Sequence, residues 1–408
     1  MLPRAFRASP LRPGGVLKRE DEHDRRPWAA RLGVAVATLA IAGAVVILAP
    51  TLTWWQWIAR LVLRETSLGV SAAAAVALVL LRGHPGPARR GRCLGSLLAC
   101  IVGLLPFVGA GLTFKPPAGS GFSLAQYVTF GRPLPVVGID RDVVLDPARP
   151  SLTSDIYHGA GPSPRPLVVA IHGGSWRGGD KGQGDHAWRY LAAAGYTVVD
   201  VRYGLAPEHP FPQAIGDVKC LLGRLREQAG HLGVDGRHAA LLGRSAGGQI
   251  ALIAAYTPGD GRLPPSCGVE DLPVQAVVSL YGPTDLVWGY RNPTVPDVID
   301  GNESLRLYLG GSPEEQPESY RLGSALSWAD RALPPTLLIH GLGDQLVRAF
   351  HSTNLAEGLR RAGHPVELLE IPFAEHGFDV RAGGVGEQIA RQTVSRFLAR
   401  PLSLPAVP

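Results

Sequence analysis

Two hydrophobic patterns follow one another along the chain. In the first 114 residues the apolar positions form long unbroken runs: Leu32–Ala49 is eighteen residues without a charge, and Cys93–Phe114 is twenty-two. A helix rises ~1.5 Å per residue and the hydrocarbon core of a bilayer is ~30 Å thick, so either run suffices to cross it. A third run, Leu61–Leu81, is clean only from Thr66 onward. Arg64 and Glu65 stand near its start, close to an aromatic cluster of Trp54, Trp55 and Trp57 suited to a membrane interface. The pattern predicts a basic tail over 1–31 and a membrane segment over 32–114 with three helices, 32–49, 61–81 and 93–114. A basic stretch of that length is long for a signal peptide, and two more apolar runs follow it.

Beyond the membrane segment, Lys115–Gly138 is rich in Pro and Gly and reads as a linker. Short β-branched runs then alternate with longer stretches of helical periodicity. The strands expected are Asp142–Leu145, Thr153–Tyr157, Leu167–Ile171, Thr197–Val201, Ala239–Leu242, Ala276–Leu280, Thr336–Ile339 and Val366–Glu370, with amphipathic segments such as Phe211–Gln228 and Ala349–Ala362 between them. Near-continuous apolar strands alternating with helices predict an α/β domain over 139–400. Its sheet of eight strands would be mostly parallel and covered by helices on both faces. Residues 401–408 read as a disordered tail.

Charge sharpens the division. A hydrophobic share of 46% against 18% charged excludes a wholly disordered chain. The net charge of +6 suggests nucleic acid until it is divided along the chain. Residues 1–115 hold fifteen Lys/Arg against five Asp/Glu, a net of +10, and residues 116–408 hold twenty-five against twenty-nine, a net of −4. The basic excess lies beside the apolar runs, which points to a lipid bilayer as partner and not to nucleic acid. Arg4, Arg7, Arg12, Lys18, Arg19, Arg25, Arg26 and Arg31 precede the first run, and Arg82, Arg89, Arg90 and Arg92 separate the second from the third. Both segments belong inside by the positive-inside rule, so three crossings make a multi-pass membrane protein with everything after Phe114 outside; Arg60 and Arg64 in the first loop oppose this bias. The clean spans hold no acidic or histidine pair of the kind that marks a transport path. Cys93, Cys100, Cys220 and Cys267 show no metal-ligand spacing; Cys220 and Cys267 can pair only in an oxidising compartment. Oligomeric state leaves no mark on the sequence.

Four motifs carry chemistry. Gly243-Arg244-Ser245-Ala246-Gly247 fits GxSxG between a hydrophobic run and an Ala-rich helical stretch. Ser245 would occupy a sharp strand-to-helix turn that lifts its hydroxyl above the sheet, with Gly243 and Gly247 letting strand and helix pass closely. His172-Gly173-Gly174-Ser175 follows a strand some seventy residues earlier. Backbone amides in such a turn can face a developing oxyanion, joined by the amide of Ala246. A serine needs an adjacent base, and the base needs a carboxylate to fix its tautomer. Asp344, beyond the strand TLLIH, and His376, in PFAEHGF after the last strand, complete the order Ser–Asp–His. Other histidines read as structural: His340 ends a strand, His172 braces the glycine turn, and His351 and His364 fall on or after a helix. Asp379 stands too close in sequence to His376 to reach its other ring nitrogen, and Glu375 reads as solvated. Arg244 reads as a solvated neighbour of the nucleophile or as a recognition group for an anionic acyl or leaving group. Asp285 caps a turn, and Asp180 and Lys181 make structural contacts. The long connection Gly282–Pro335, with Trp288, Tyr290, Tyr308, Tyr320 and Trp328, reads as a binding insertion whose aromatics divide between pocket and packing.

Residues 139–400 resemble the esterase/lipase branch of the α/β-hydrolase superfamily, which includes hormone-sensitive-lipase-like, feruloyl-esterase-like and kynurenine-formamidase-like enzymes. HGGSWRGGDKG, VRYGLAPEHPFPQAIGDVKCLLGRL, GRSAGGQIA, YGPTDL, LPPTLLIHGLGDQLV and AEHGF match its pattern in order. The resemblance implies the α/β-hydrolase fold and hydrolysis of small or lipid-like carboxylic esters through an acyl-serine, without metal or organic cofactor. It also assigns the oxyanion amides to Gly174, Ser175 and Ala246. Two departures stand out: Ser175 where many of these esterases have a third glycine, and Arg244 where Asp or Glu is frequent. An amidase or peptidase with the same triad, or a membrane-bound binding module that kept only the fold, are the competing readings. An intact set of nucleophile, base, acid and oxyanion turn favours catalysis, because a binding module does not need it.

Overall fold

The computed structural model describes residues 27–82, 88–113 and 121–402. Most of the basic tail, part of the arginine loop, residues 114–120 and residues 403–408 lie outside the described residues. Eight strands form one sheet: β1 Ile139–Val144, β2 Thr153–Tyr157, β3 Arg165–Ile171, β4 Thr197–Val201, β5 Val234–Arg244, β6 Ala276–Leu280, β7 Thr336–Gly341 and β8 Val366–Ile371. Their order is β1-β2-β4-β3-β5-β6-β7-β8. β2 is antiparallel to both neighbours, and all other pairings are parallel.

Side-chain alternation explains why the central strands read as unbroken apolar runs. In β3, Leu167, Val169 and Ile171 enter the core on one face while Val168 and Ala170 enter the core on the other. β5 divides the same way, with Ala239 and Leu241 against Ala240 and Leu242. Helices Gln213–Glu227, Ala246–Tyr256 and Phe350–Arg361 cover the first face, and Asp185–Ala193 and Val385–Ala399 cover the second. Parallel strands set their C-terminal ends along one edge, so the loops after β3, β5, β7 and β8 converge there. The four motifs that carry chemistry sit on that edge.

The N-terminal region departs from three straight spans. Helices α1 (Pro27–Leu48) and α4 (Arg89–Thr113) are each long and apolar enough to cross a membrane. The middle run is broken. Helix α2 (Trp54–Glu65) is capped by Thr53, ends at Thr66, and turns by 75° into α3 (Ser67–Leu81). Leu61–Glu65 therefore belong to a separate amphipathic helix, because Arg60, Arg64 and Glu65 find no place in an apolar bundle and turn instead to the sheet edge. The fifteen residues of α3 span only ~22 Å.

α1, α3 and α4 pack through small side chains, with Ala40, Ala44, Ala74 and Ala99 at their contacts. Gly103 is required there: a Cβ would collide with Ser71 Oγ and the Ser67 carbonyl. Leu39, Val76, Val79, Leu97, Ile101 and Leu112 face outward. The three helices alternate in direction. The C-terminal end of α4 and the start of α3 lie against the α/β domain and the short helix before it, where Ala110 joins the core and Leu68 N donates to Tyr127 Oη. The end of α1 is held by α2, whose Arg64 donates to the Ile47 carbonyl, and Thr51 just beyond α1 reaches Gln345 of the domain. Their other ends meet far from it, where Gly33 packs on Leu80. The described part of the linker is ordered against the domain: it holds a short helix, Leu124–Val128, with Tyr127 buried and Ser123 N bonded to Gln388. Leu402, expected in a loose tail, is also buried.

Candidate active site

Ser245 is placed by backbone geometry. It stands between β5 and helix Ala246–Tyr256 with φ 54° and ψ −122°, a conformation unfavourable for a side-chain-bearing residue and held by its surroundings. The flanking glycines leave no alternative: a Cβ at Gly243 would collide with the Gly247 carbonyl, and one at Gly247 with the carbonyls of Ile171 and His172.

The turn raises Ser245 Oγ to 2.9 Å from His376 Nε2, and His376 Nδ1 lies 2.8 Å from Asp344 Oδ2. With the ring proton on Nδ1 donated to Asp344, Nε2 is left to accept from the serine hydroxyl. Asp344 is fixed on its other side, where Oδ1 accepts from the amides of Leu346 and Val347, each at 2.8 Å. His340 Nε2 lies 3.2 Å from Oδ2, while its Nδ1 contacts Ser352 Oγ. Burial acts to raise the Asp344 carboxyl. The charge of His376 and the bonds from His340 and His376 outweigh it and hold the group well below the usual carboxylate range. His340, read from sequence as structural, thus also contacts Asp344. Its position four residues before Asp344 was the available signal.

The glycine turn lies directly opposite. His172 Nδ1 donates to the Gly173 carbonyl at 2.8 Å and its ring stacks on Tyr203, while burial lowers its basicity. Gly174 adopts φ 129°, and Ser175, in the place of a third glycine, adopts φ 53°. Among the described residues, none accepts a hydrogen bond from the amides of Gly174, Ser175 or Ala246. Ser175, Ala246, Ser245 and His376 share a cleft of about 90 Å³ walled by Trp176, Leu286, Trp288, Leu305 and Leu346. Of the five aromatics in the insertion only Trp288 lines it; Tyr308, Tyr320 and Trp328 are core, and Tyr290 packs edge-on against Tyr320. Asp285 caps helix Leu286–Arg291, Asp180 pairs with Arg202, and Lys181 pairs with Asp155.

Two expectations fail. Arg244 is neither solvated nor aimed at the cleft. It is buried, with Nε 2.7 Å from Asp379 Oδ2 and 3.1 Å from Tyr281 Oη, and Tyr281 also donates to Asp379. Burial works against the Asp379 carboxylate, but Arg244 more than compensates and holds its carboxyl below the ordinary value. Glu375 is not solvated either. Its side chain is fully buried and faces Arg60 and Arg64 of α2. The sequence held a signal for this: two arginines four apart, on one face of a segment otherwise apolar on that side, need an acidic partner. Cys220 and Cys267, left open by the sequence, are bonded, with Cα atoms 5.4 Å apart. Cys93 and Cys100 are free.

Comparison with known proteins places this geometry. The BD-FAE family matches residues 154–359. Esterase LipC of Mycobacterium tuberculosis is 33% identical over 227 residues, covering 54% of this chain and 55% of LipC. Carboxylesterase NlhH of the same organism is 41% identical over 235 residues, covering 52% of this chain and 66% of NlhH. The chain spans about half the length of several of the curated relatives it matches. Among solved structures, esterase LipW from Mycobacterium marinum aligns with a TM-score of 0.51 at 28% identity, over 68% of this chain and 84% of LipW. Sheet order, the turn at Ser245 and sequence similarity agree: the chain belongs to the BD-FAE family, within the esterase/lipase branch of the α/β-hydrolase superfamily.

Proposed function

We propose that this chain is a membrane-anchored serine carboxylesterase. The single observation that carries the reading is the continuous hydrogen-bonded line Ser245–His376–Asp344, which opens into a cleft lined by Ser175 and Ala246, whose amides are unengaged. Ser245 Oγ attacks the ester carbonyl carbon as His376 Nε2 takes its proton. The amides of Gly174, Ser175 and Ala246 receive the negative charge on the carbonyl oxygen. Collapse of the tetrahedral adduct breaks the bond to the alcohol oxygen, which leaves with the proton from His376. Water then adds to the acyl-serine, again losing a proton to His376, and the second collapse releases the acid and returns the proton to Ser245. Asp344 keeps the imidazole in the required tautomer and stabilises its cationic form.

Residues 139–400 carry this chemistry in our reading, and α1, α3 and α4 hold it to the bilayer. The alternating directions of the three helices support three crossings with the hydrolase outside, and α2 lies along the interface on that side. Arg31, Arg82, Arg89, Arg90 and Arg92 all stand at the opposite end of the bundle, as the positive-inside rule requires of the cytoplasmic side. The Cys220–Cys267 bond suits an oxidising compartment. The test is a fluorophosphonate probe on the detergent-solubilised chain, with p-nitrophenyl esters of rising length. Labelling and turnover that both disappear in Ser245→Ala are expected; turnover that survives Ser245→Ala would end the proposal.

A further inference from the structure

Glu375 joins the loops of Asp344 and His376 to a helix, α2, that takes no part in the hydrolytic mechanism. One carboxylate oxygen, Oε1, accepts from the amide of Gln345 at 2.7 Å and from the amide of His376 at 3.3 Å. These are the residue directly after Asp344 and the base itself, so a single atom ties the loop of the acid to the loop of the base. The other oxygen, Oε2, faces α2, 3.5 Å from Arg60 Nε and 3.6 Å from Arg64 Nη1.

The same corner of the N-terminal region holds both loops a second time. Arg64 Nη1 donates to the Phe373 carbonyl at 2.9 Å, and its Nε and Nη2 donate to the Ile47 carbonyl at the end of α1. Thr51, between α1 and α2, donates from its amide at 3.0 Å to the side-chain oxygen of Gln345, which its hydroxyl also meets. Beyond these, Trp57 and Leu61 pack on Val298 and Leu346. Leu346 is a cleft-wall residue, and its amide binds Asp344.

Glu375 and both arginines are buried. A carboxylate out of water is tolerated when charged partners face it, and here those partners come from another part of the chain, about 310 residues earlier. We propose that Glu375, held by Arg60 and Arg64, is a positioning residue for the Asp344–His376 pair, so that the helices before the hydrolase fold set the geometry of its active site. This rests on the serine-esterase reading above, and it deepens that reading by making α2 part of what maintains the reacting geometry.

Two variants of the full-length chain in detergent test it. Glu375→Asp keeps the charge but draws the acceptor back by one methylene from the Gln345 and His376 amides. Its kcat is expected to fall about 10- to 100-fold with KM within about twofold, the scale on which small misplacements of catalytic groups act. Arg60→Gln/Arg64→Gln leaves the carboxylate without a counter-charge and is expected to fall by a similar factor. Adding Glu375→Gln to that chain removes the unpaired carboxylate yet keeps an oxygen for both amides, and turnover is expected to recover several-fold, stopping short of wild type because the Phe373 and Ile47 carbonyls have lost Arg64. A purely structural role would not give a kcat loss that removing a third charged group repairs. Wild-type kcat in Glu375→Asp, or a chain lacking both arginines that Glu375→Gln fails to rescue, would overturn the proposal. If the arginine variant does not fold, Glu375→Asp decides alone. Failure of the esterase reading looks different: the wild-type chain itself would neither turn over esters nor take the fluorophosphonate at Ser245.

Discussion

Asp344→Asn replaces one carboxylate oxygen with an amide nitrogen in a site that offers only donors to both. The amides of Leu346 and Val347 point at Oδ1, while His376 Nδ1 and His340 Nε2 meet Oδ2. If the new carboxamide oxygen takes the Oδ1 place, its NH2 faces His376 Nδ1 and drives the ring proton to Nε2, opposite the serine hydroxyl. If it flips, His376 keeps its tautomer but two buried backbone amides lose their acceptor. At ~1–3 kcal/mol for each unpaired buried donor, the flip is disfavoured by ~2–6 kcal/mol. By the factor of ten per ~1.4 kcal/mol this is a productive fraction reduced ~30- to ~10⁴-fold. The upper end agrees with the ~10⁴-fold loss known for the same exchange in a serine protease triad. The assay is kcat for p-nitrophenyl butyrate with purified full-length protein, using Ser245→Ala as the floor and thermal unfolding to verify the fold. A folded Asp344→Asn chain within about threefold of wild type, well short of the ~30-fold minimum, would refute both the assignment of the acid and the tautomer argument.

Three further outcomes are expected. Asp379→Asn strips the buried Arg244 of its carboxylate and should lower stability by ~3–5 kcal/mol while leaving the tautomer of His376 alone; an unchanged unfolding midpoint would contradict the buried-pair reading. The buried Asp200 carboxyl, which accepts from Gly182 N and Trp188 Nε1, is pushed up to about 7 by burial. Below pH ~4 it is protonated in folded and unfolded chains alike. From there to about pH 7 only the unfolded chain ionises, so the wild type loses up to ~1.4 kcal/mol per pH unit that Asp200→Asn does not. The stability difference between the two should therefore move in favour of Asp200→Asn as pH rises; a constant difference from pH ~4 to ~8 would remove the argument. Finally, protease added to intact cells, or to spheroplasts where an outer barrier exists, should digest the chain after Phe114. Protection until lysis would place the hydrolase in the cytoplasm and make the bent α2–α3 pair a re-entrant element.

How much the sequence disclosed depended on how local each signal was. Thr153–Tyr157, Thr197–Val201 and Ala276–Leu280 carry their strand signal within themselves and appear with the expected bounds. That Ser245, His376 and Asp344 come together was legible because each follows a strand at the one edge where parallel strands bring their loops together. β5 begins at Val234, earlier than its apolar run, because Val234 and Asp235 pair with Arg165 and Pro166 through an irregular register that hydropathy does not record. The break at Thr66 was hidden because a run of hydropathy sums over a bend. The burial of Glu375 and Arg244 was hidden because their partners lie far off in sequence: Arg64 and Glu375 are 311 positions apart, and Arg244 and Asp379 are 135 apart.

The N-terminal region meets the α/β domain at Thr51 between α1 and α2, along α2 and at the end of α4. One attachment makes a tether, and each further attachment takes away freedom to turn. In a bilayer the cleft would then ride at a set height and a set tilt, translating with the membrane but unable to swing toward a partner in solution. Its substrate would have to arrive by lateral diffusion or come down to that height. Lengthening the chain between α4 and Ser123 would not loosen the enzyme, because Thr51 and α2 would still hold it in place.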